Sequence, residues 1–183
     1  MRANDPRVAL SLILAVSLLA PAALFANSGH EIDASADEAL SRFEKEVKGA
    51  DRLLAEARGV LVLPKVVKGG FIVGAEYGEG SLRIDGRTVA YYSVASASLG
   101  LTVGGEMKDI IIVFLADGVL KKFRSSKGWE AGVDGNVAVI KVGSGDSIDT
   151  RKFNEPIVGF VVGVKGLLVD ASFNGSKFTR IER

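Results

Sequence analysis

The chain has 183 residues, 25% charged and 48% hydrophobic, with a formal charge of +1. That is long enough for one domain with its own core, and it excludes a global field that would draw the protein to nucleic acid. The lack of cysteine excludes disulfides, thiolate metal sites, a cysteine nucleophile and a lipid-modified N-terminal cysteine.

Residues 1–26 read as a secretory signal peptide. Arg2 and Arg7 form a basic start, Val8 to Ala20 is an uncharged apolar run, and Ala20-Pro21-Ala22 is a small-residue cleavage pattern, with Ala26 a second stop. The other reading is a membrane anchor, for which the run is short. Removal leaves 21 basic and 21 acidic residues, a neutral chain. Residues 27–34 read as a short polar lead.

Ser35-Ala36-Asp37-Glu38 has the form of a capping box, and Leu40, Phe43, Val47, Ala50, Leu53, Leu54 and Ala57 follow at helical spacing. The pattern predicts an amphipathic helix over 36–58, ended by Gly59, with Gly49 marking a close packing contact. Lys45, Lys48 and Arg52 fall on its opposite face. That face either touches anionic head groups or is only solvated, with Glu44 and Glu56 as i,i+4 partners.

The middle of the chain reads as glycine-rich sheet, in keeping with 22 non-periodic glycines among β-branched residues. Gly59 to Leu63 is a buried strand ended by Pro64. Gly70 to Tyr77 and Ser81 to Ile84 are two more, the second closed by Asp85-Gly86. Val89 to Val103 is a small-residue strand that lets a backbone come close or a sheet bend into a barrel. Asp109 to Leu115 is a central strand buried on both faces. Asp117 is expected to cap a short helix over 118–127.

Lys121 to Trp129 (K-K-F-R-S-S-K-G-W) holds four basic residues and two aromatics. Lys121, Lys122, Arg124 and Lys127 beside an exposed Trp129 would suit a membrane interface; alternatively Phe123 and Trp129 are core and the charges solvate the outside. Val137 to Val142 and Ile157 to Val162 are strand-like. The C-terminal stretch shows period-two alternation, with Leu168, Asp170 and Ser172 against Leu167, Val169, Ala171 and Phe173. Its Asn174-Gly175 pair is a hairpin signal.

Catalytic chemistry is hard to assemble from these residues. The one histidine, His30, lies in the polar lead, so no Ser-His-Asp or Cys-His set can be built in the domain. The glycine-rich runs 74–80 and 159–166 do not match phosphate-loop patterns and sit inside strand-like text. Asp146 and Asp149 lack calcium-loop spacing. The expectation is a protein without enzymatic activity, cofactor or metal.

Five segments together resemble the SYLF domain, a lipid-binding module also described as actin-binding in yeast and found in many exported bacterial proteins. They are F-E-K-E-V-K-G-A-D-R-L-L-A-E-A-R-G-V-L-V (43–62), K-G-G-F-I-V-G-A-E-Y-G-E-G (68–80), Y-Y-S-V-A-S-A-S-L-G-L-T-V-G-G (91–105), S-K-G-W-E-A-G-V-D-G-N-V-A-V (126–139) and V-G-F-V-V-G-V-K-G-L-L-V-D-A-S-F-N-G-S-K-F-T-R-I (158–181). The resemblance implies phospholipid binding without catalysis, and by position it gives the role of a basic amphipathic helix to Lys45, Lys48 and Arg52.

The fold expected is α+β: a strongly curved, mainly antiparallel sheet or barrel, with the N-terminal helix packed on it and a second short helix, in one domain over 35–183. The function expected is peripheral binding of anionic phospholipid at a membrane surface by an exported, periplasmic or secreted protein. The contacts are Lys121, Lys122, Arg124, Lys127 and Trp129, or Lys45, Lys48 and Arg52. The alternatives are a structural or partner-binding envelope protein and a carrier enclosing one lipid in a glycine-lined barrel.

Overall fold

The computed structural model describes residues 27–70, 73–99, 104–148, 155–166 and 173–183. The proposed signal peptide and the alternating stretch 167–172 therefore lie outside the described residues. Helix α1 spans Gly29–Glu46 and α2 spans Ala50–Glu56. The single helix expected over 36–58 is thus two, and it starts earlier. Ser28-Gly29-His30-Glu31 is also a capping box, and it is the one in use: Glu31 N–H donates to Ser28 Oγ (3.3 Å) and Ser28 N–H to Glu31 Oε2 (2.8 Å). It wins because Ile32, Ala36, Ala39 and Phe43 extend the buried stripe N-terminally.

The break between α1 and α2 has a local cause. Gly49 takes φ +87°, a left-handed conformation that stops a helix. The Lys48 N–H donates outward to the Asp146 carbonyl (2.8 Å), and Ile148 N–H donates to the Lys48 carbonyl (2.8 Å). A Cβ on Gly49 would sit 2.8 Å from the Ile148 carbonyl oxygen, so the close contact expected at Gly49 is present.

The strands are β1 (Gly59–Gly70), β2 (Val73–Ile84), β3 (Arg87–Leu99), β4 (Gly104–Phe114), β5 (Trp129–Glu130), β6 (Ala138–Val142), β7 (Ile157–Gly166) and β8 (Lys177–Ile181), with α3 at Asp117–Ser125. They form one sheet in the order β5-β8-β3-β2-β1-β4-β7-β6, antiparallel except for the β6–β7 pair. The sheet curls strongly into a half-barrel, so the expected α+β class and curved antiparallel sheet are found. The hairpin β2–β3 turns at Asp85 and Gly86, both at positive φ as a type I′ turn requires.

Of the two segments expected as separate strands, 70–77 and 81–84, Gly70 ends β1, while 73–77 and 81–84 are one strand, β2, continuous through Gly78 and Gly80 where β1 presses close. A Cβ on Gly80 would lie 1.9 Å from the Val62 carbonyl oxygen, so only glycine fits. The strand-like stretch before Asn174-Gly175, 167–172, lies outside the described residues. The turn closes through Ser176 N–H to the Phe173 carbonyl (2.8 Å), and β8 pairs with β3 and β5. Asp117 is the first residue of α3 rather than its cap; Ala116 takes the cap position and makes no side-chain bond.

Pro64 does not end β1. The strand bulges at Pro64-Lys65, Lys65 takes φ +52°, and the register shifts against both β2 and β4. The extra residue reverses which side chains face inward. Before it, Leu61 and Leu63 belong to the concave core and Val60 and Val62 to the convex side; after it, Val66 is concave and Val67 is convex. Asp109 of β4 secures the bulge. Its carboxylate accepts the Lys65 N–H (2.9 Å) and pairs with Arg42 of α1 (2.6 Å).

Two cores result, one on each face. The concave side holds Tyr92, Phe114, Phe123, Trp129, Phe173 and Phe178 with Ile110, Ile112 and Leu61. The convex side holds Phe43 and Val47 of the N-terminal helix layer against Val62, Ile111, Val113, Phe160 and Val162. Strand β4 is therefore buried on both faces, as its apolar run predicted. The Asp109 knot generates a test. Asp109→Ala leaves the Lys65 N–H without its acceptor and Arg42 without its partner. It should lower stability by about 1–3 kcal/mol in urea unfolding, whereas Arg42→Ala, which keeps the Lys65 bond, should cost less.

Candidate lipid-facing surface

The residues expected to touch lipid do not form one surface. Lys45 is exposed in the last turn of α1, Lys48 lies in the break, and Arg52 is exposed in α2. Because the helix is interrupted between them, the i, i+3, i+7 stripe does not exist as a continuous face. Lys121, Lys122 and Arg124 are exposed on α3, with Lys127 just beyond it, and Lys122 donates to the Asp134 carbonyl. Trp129 corrects the expectation directly: it is only 2% exposed, so its ring is not at the surface. It packs against Phe123 (5.6 Å between ring centroids) and Phe178 (5.8 Å). Its apolar body is worth more in the concave core than in water, and α3 anchors that core through Phe123. These rings, with Tyr92 4.8 Å from Phe123, pack together in the concave core.

The convex face presents something the sequence did not disclose. Residues directly opposite one another in paired strands share a face. The register runs Lys177–Ala95 between β8 and β3, Ala95–Tyr77 to β2, Tyr77–Val67 to β1, Val67–Met107 to β4, and Met107–Lys165 to β7. This row crosses six strands with an apolar centre and a lysine at each end. Tyr77 is 53% exposed, Val67 51% and Met107 43%, so three large apolar side chains stand together in solvent. Ala97, Ala75, Gly69 and Gly105 form the next row outward, adding no charge. At roughly 4.8 Å per strand the row is about 24 Å long. It lies beyond the cover of α1, whose Phe43 and Ala39 shield the other half of the face.

Between α1 and this row lies a cleft of about 570 Å³, lined by Asn27, Glu31, Ile32, Ser35, Lys65, Val67, Tyr77 and Glu79 among others. Lys65 Nζ donates to Ser35 Oγ (3.3 Å). The Tyr77 hydroxyl donates to Glu79 Oε1 (2.7 Å), which Arg183 also contacts; Glu79 Oε2 is buried without a hydrogen-bond partner. The Glu31 carboxyl is held below its usual range by the Ser28 N–H and hydroxyl.

On the concave side of the same end sits a second set of charges. Glu106, Lys68 and Glu76 face one another across β4, β1 and β2. Lys108 Nζ lies 2.8 Å from Glu76 Oε2 and 3.2 Å from Glu106 Oε1. The second contact is close enough for electrostatic pairing but lacks the direction of a hydrogen bond. Burial pulls the Lys108 ammonium down and the Glu76 carboxylate lifts it further, so the net direction is upward. Among the described residues no group of three or more His, Cys, Asp or Glu is arranged to hold a metal ion. Asp146 serves its own turn, accepting the Gly143 N–H (2.7 Å). No helix among the described residues is long and apolar enough to cross a membrane.

The tyrosines report on this arrangement. Burial and then the Glu79 carboxylate push Tyr77 up from 10.0 to about 12. The bond to Asp33 raises Tyr91, and burial raises Tyr92. A phenol harder to ionise in the folded chain binds its proton over a wider range than in the unfolded one. Its contribution is therefore complete below pH 10.0 and is lost as pH rises through the window up to about 12. Absorbance titration should show less phenolate at pH 10.0 than three free tyrosines would give, and Tyr77→Phe should remove a step near pH 12. Ordinary titration of all three tyrosines near pH 10.0 would contradict these environments.

With the geometry in place, two comparisons bear on identity. Residues 95–182 match the family model described as Ysc84, Las17-binding protein actin regulator. The chain is also 30% identical over 149 residues to Beta cell expansion factor A of Aeromonas veronii. That alignment covers 80% of this chain and 55% of the relative, so the chain spans about half the length of the curated relative it matches. Over residues 95–182 the chain matches the Ysc84/SYLF family.

Proposed function

We propose that the protein is a non-enzymatic, exported lipid-surface binder, periplasmic or secreted, and that it meets anionic phospholipid through the convex row Lys177–Ala95–Tyr77–Val67–Met107–Lys165. The observation that carries the reading is the row itself. Three adjacent large apolar side chains, each more than two-fifths exposed, are flanked at both ends by lysines. Apolar side chains entering the acyl boundary lose contact with water, and each lysine near an anionic surface adds about 1 kcal/mol. Lys65 stands beside Val67, and Lys45 lies at i+3 from Arg42, on the side of α1 nearest Asp109. The basic side chains of α3 belong to the element that plugs the concave aromatic core, and Lys177, at one end of the row, stands close to Gly128, just after Lys127.

The test is co-sedimentation with neutral and anionic vesicles at two salt concentrations. Binding should be salt-sensitive. Val67→Asp should abolish it, and joint replacement of Lys165 and Lys177 by glutamine should weaken it about tenfold or more on anionic vesicles. Joint replacement of Lys121, Lys122, Arg124 and Lys127 by glutamine should leave most of it. Loss confined to the α3 variant would move the contact to that helix. Absence of binding to any vesicle, with one protein partner co-purifying, would favour a partner-binding envelope protein using the same face.

A further inference from the structure

We propose that the cleft between α1 and the β1–β2 bend binds a primary ammonium group carried on an apolar chain. Its floor is Glu79, whose side chain is only 3% exposed. One oxygen is used twice, by the Tyr77 hydroxyl and by Arg183, while Oε2 has no hydrogen-bond partner. A buried acceptor left unmatched costs free energy that a donor entering the cleft would recover. A charged donor recovers more than a neutral one, because charge-assisted bonds are about twice as strong.

Arg183 meets Glu79 at its other oxygen and leaves Oε2 open; Glu31 stands at the cleft as a second carboxylate, and the lining lysine, Lys65, is turned to Ser35 Oγ. The walls supply the rest: Ile32 is buried, while Val67 and Tyr77 are half exposed and lead out along the apolar row. A ligand can therefore place N–H donors at Glu79 and lay its chain over Val67. A quaternary ammonium carries the same charge without an N–H and cannot satisfy Oε2. The ligand class differs from the anionic surface of the preceding reading, and the cleft stands on its own observations. Where the ammonium is a lipid headgroup, the chain would lie along the proposed membrane row, and to that extent the inference rests on that reading.

The experiment is calorimetric titration of the full chain, without vesicles, with decylammonium and with decyltrimethylammonium. Decylammonium should bind at least about tenfold more tightly. Glu79→Gln should erase that preference. Val67→Ser, at an exposed position that does not threaten folding, should weaken both ligands alike. Equal affinity for the two, no binding of either, or a preference that survives Glu79→Gln would overturn the proposal. Neutral vesicles with ethanolamine or choline headgroups then identify the source. Selective capture of ethanolamine vesicles assigns a lipid headgroup; decylammonium binding without that capture assigns a soluble amine. Decylammonium preference in a protein that ignores anionic vesicles would sink the membrane reading alone, and the converse would sink the cleft alone.

Discussion

The Asp109 carboxylate is the contact on which the rest of this fold turns. A bulge in β1 frees the Lys65 N–H and forces Lys65 into a left-handed conformation, two costs that a strand bears only if something compensates. Asp109 accepts that N–H and at the same time holds Arg42 of α1. A single buried side chain thus fixes the bend of the sheet and the position of the helix across it. The neighbouring strand yields at the same level: β4 and β7 change register between Met107 and Asp109, and Gly163 takes φ +63°. Three adjacent strands bend together there, which is how an eight-stranded sheet becomes a half-barrel instead of a flat layer.

That bend divides the molecule. On one side of it the convex face is covered by α1 and α2 and the concave face is filled by aromatic rings. On the other side no described helix covers the convex face, and the concave face carries Glu76, Lys68, Glu106 and Lys108. The pairing inverts the usual arrangement, with charge inside and Tyr77, Val67 and Met107 outside. Buried ion pairs add little net stability after desolvation, but losing one partner strands the other. The charged row lies next to the apolar row in the register of β4, β1 and β2, on the opposite face.

Much of this was legible in the sequence. Period two, the Asp85-Gly86 turn and the doubly apolar run 110–114 gave the sheet and its central strand, because these signals act between near neighbours. The hydrophobic stripe placed the N-terminal helix on the sheet. What was hidden depended on events at single residues with distant partners. Two capping boxes compete at the start of α1, and the choice rests on Ile32 burying itself against the sheet. The helix stops at Glu46, and the break up to Gly49 is held by Lys48 pairing with the Asp146 segment, about a hundred residues on. Most consequentially, simple alternation from Leu61 and Leu63 would carry Val67 inward. The Pro64-Lys65 bulge sends it outward instead and brings Lys68 inside. Trp129 beside four basic residues looked like an interfacial anchor, yet its partners Phe123 and Phe178 make it core. The exposed row is assembled from one residue on each of six strands, so no contiguous stretch of sequence could display it.

The central claim is that Tyr77 and its neighbours enter the lipid while the concave core does not. The chain offers an internal control, since its one tryptophan, Trp129, is buried. The direct measurement is quenching of indole fluorescence by vesicles whose acyl chains are brominated, comparing the wild type with Tyr77→Trp. The account predicts strong quenching at position 77 and almost none of Trp129 in the wild type. Vesicle-bound Tyr77→Trp protein whose emission is no more quenched than that of the wild type would contradict it.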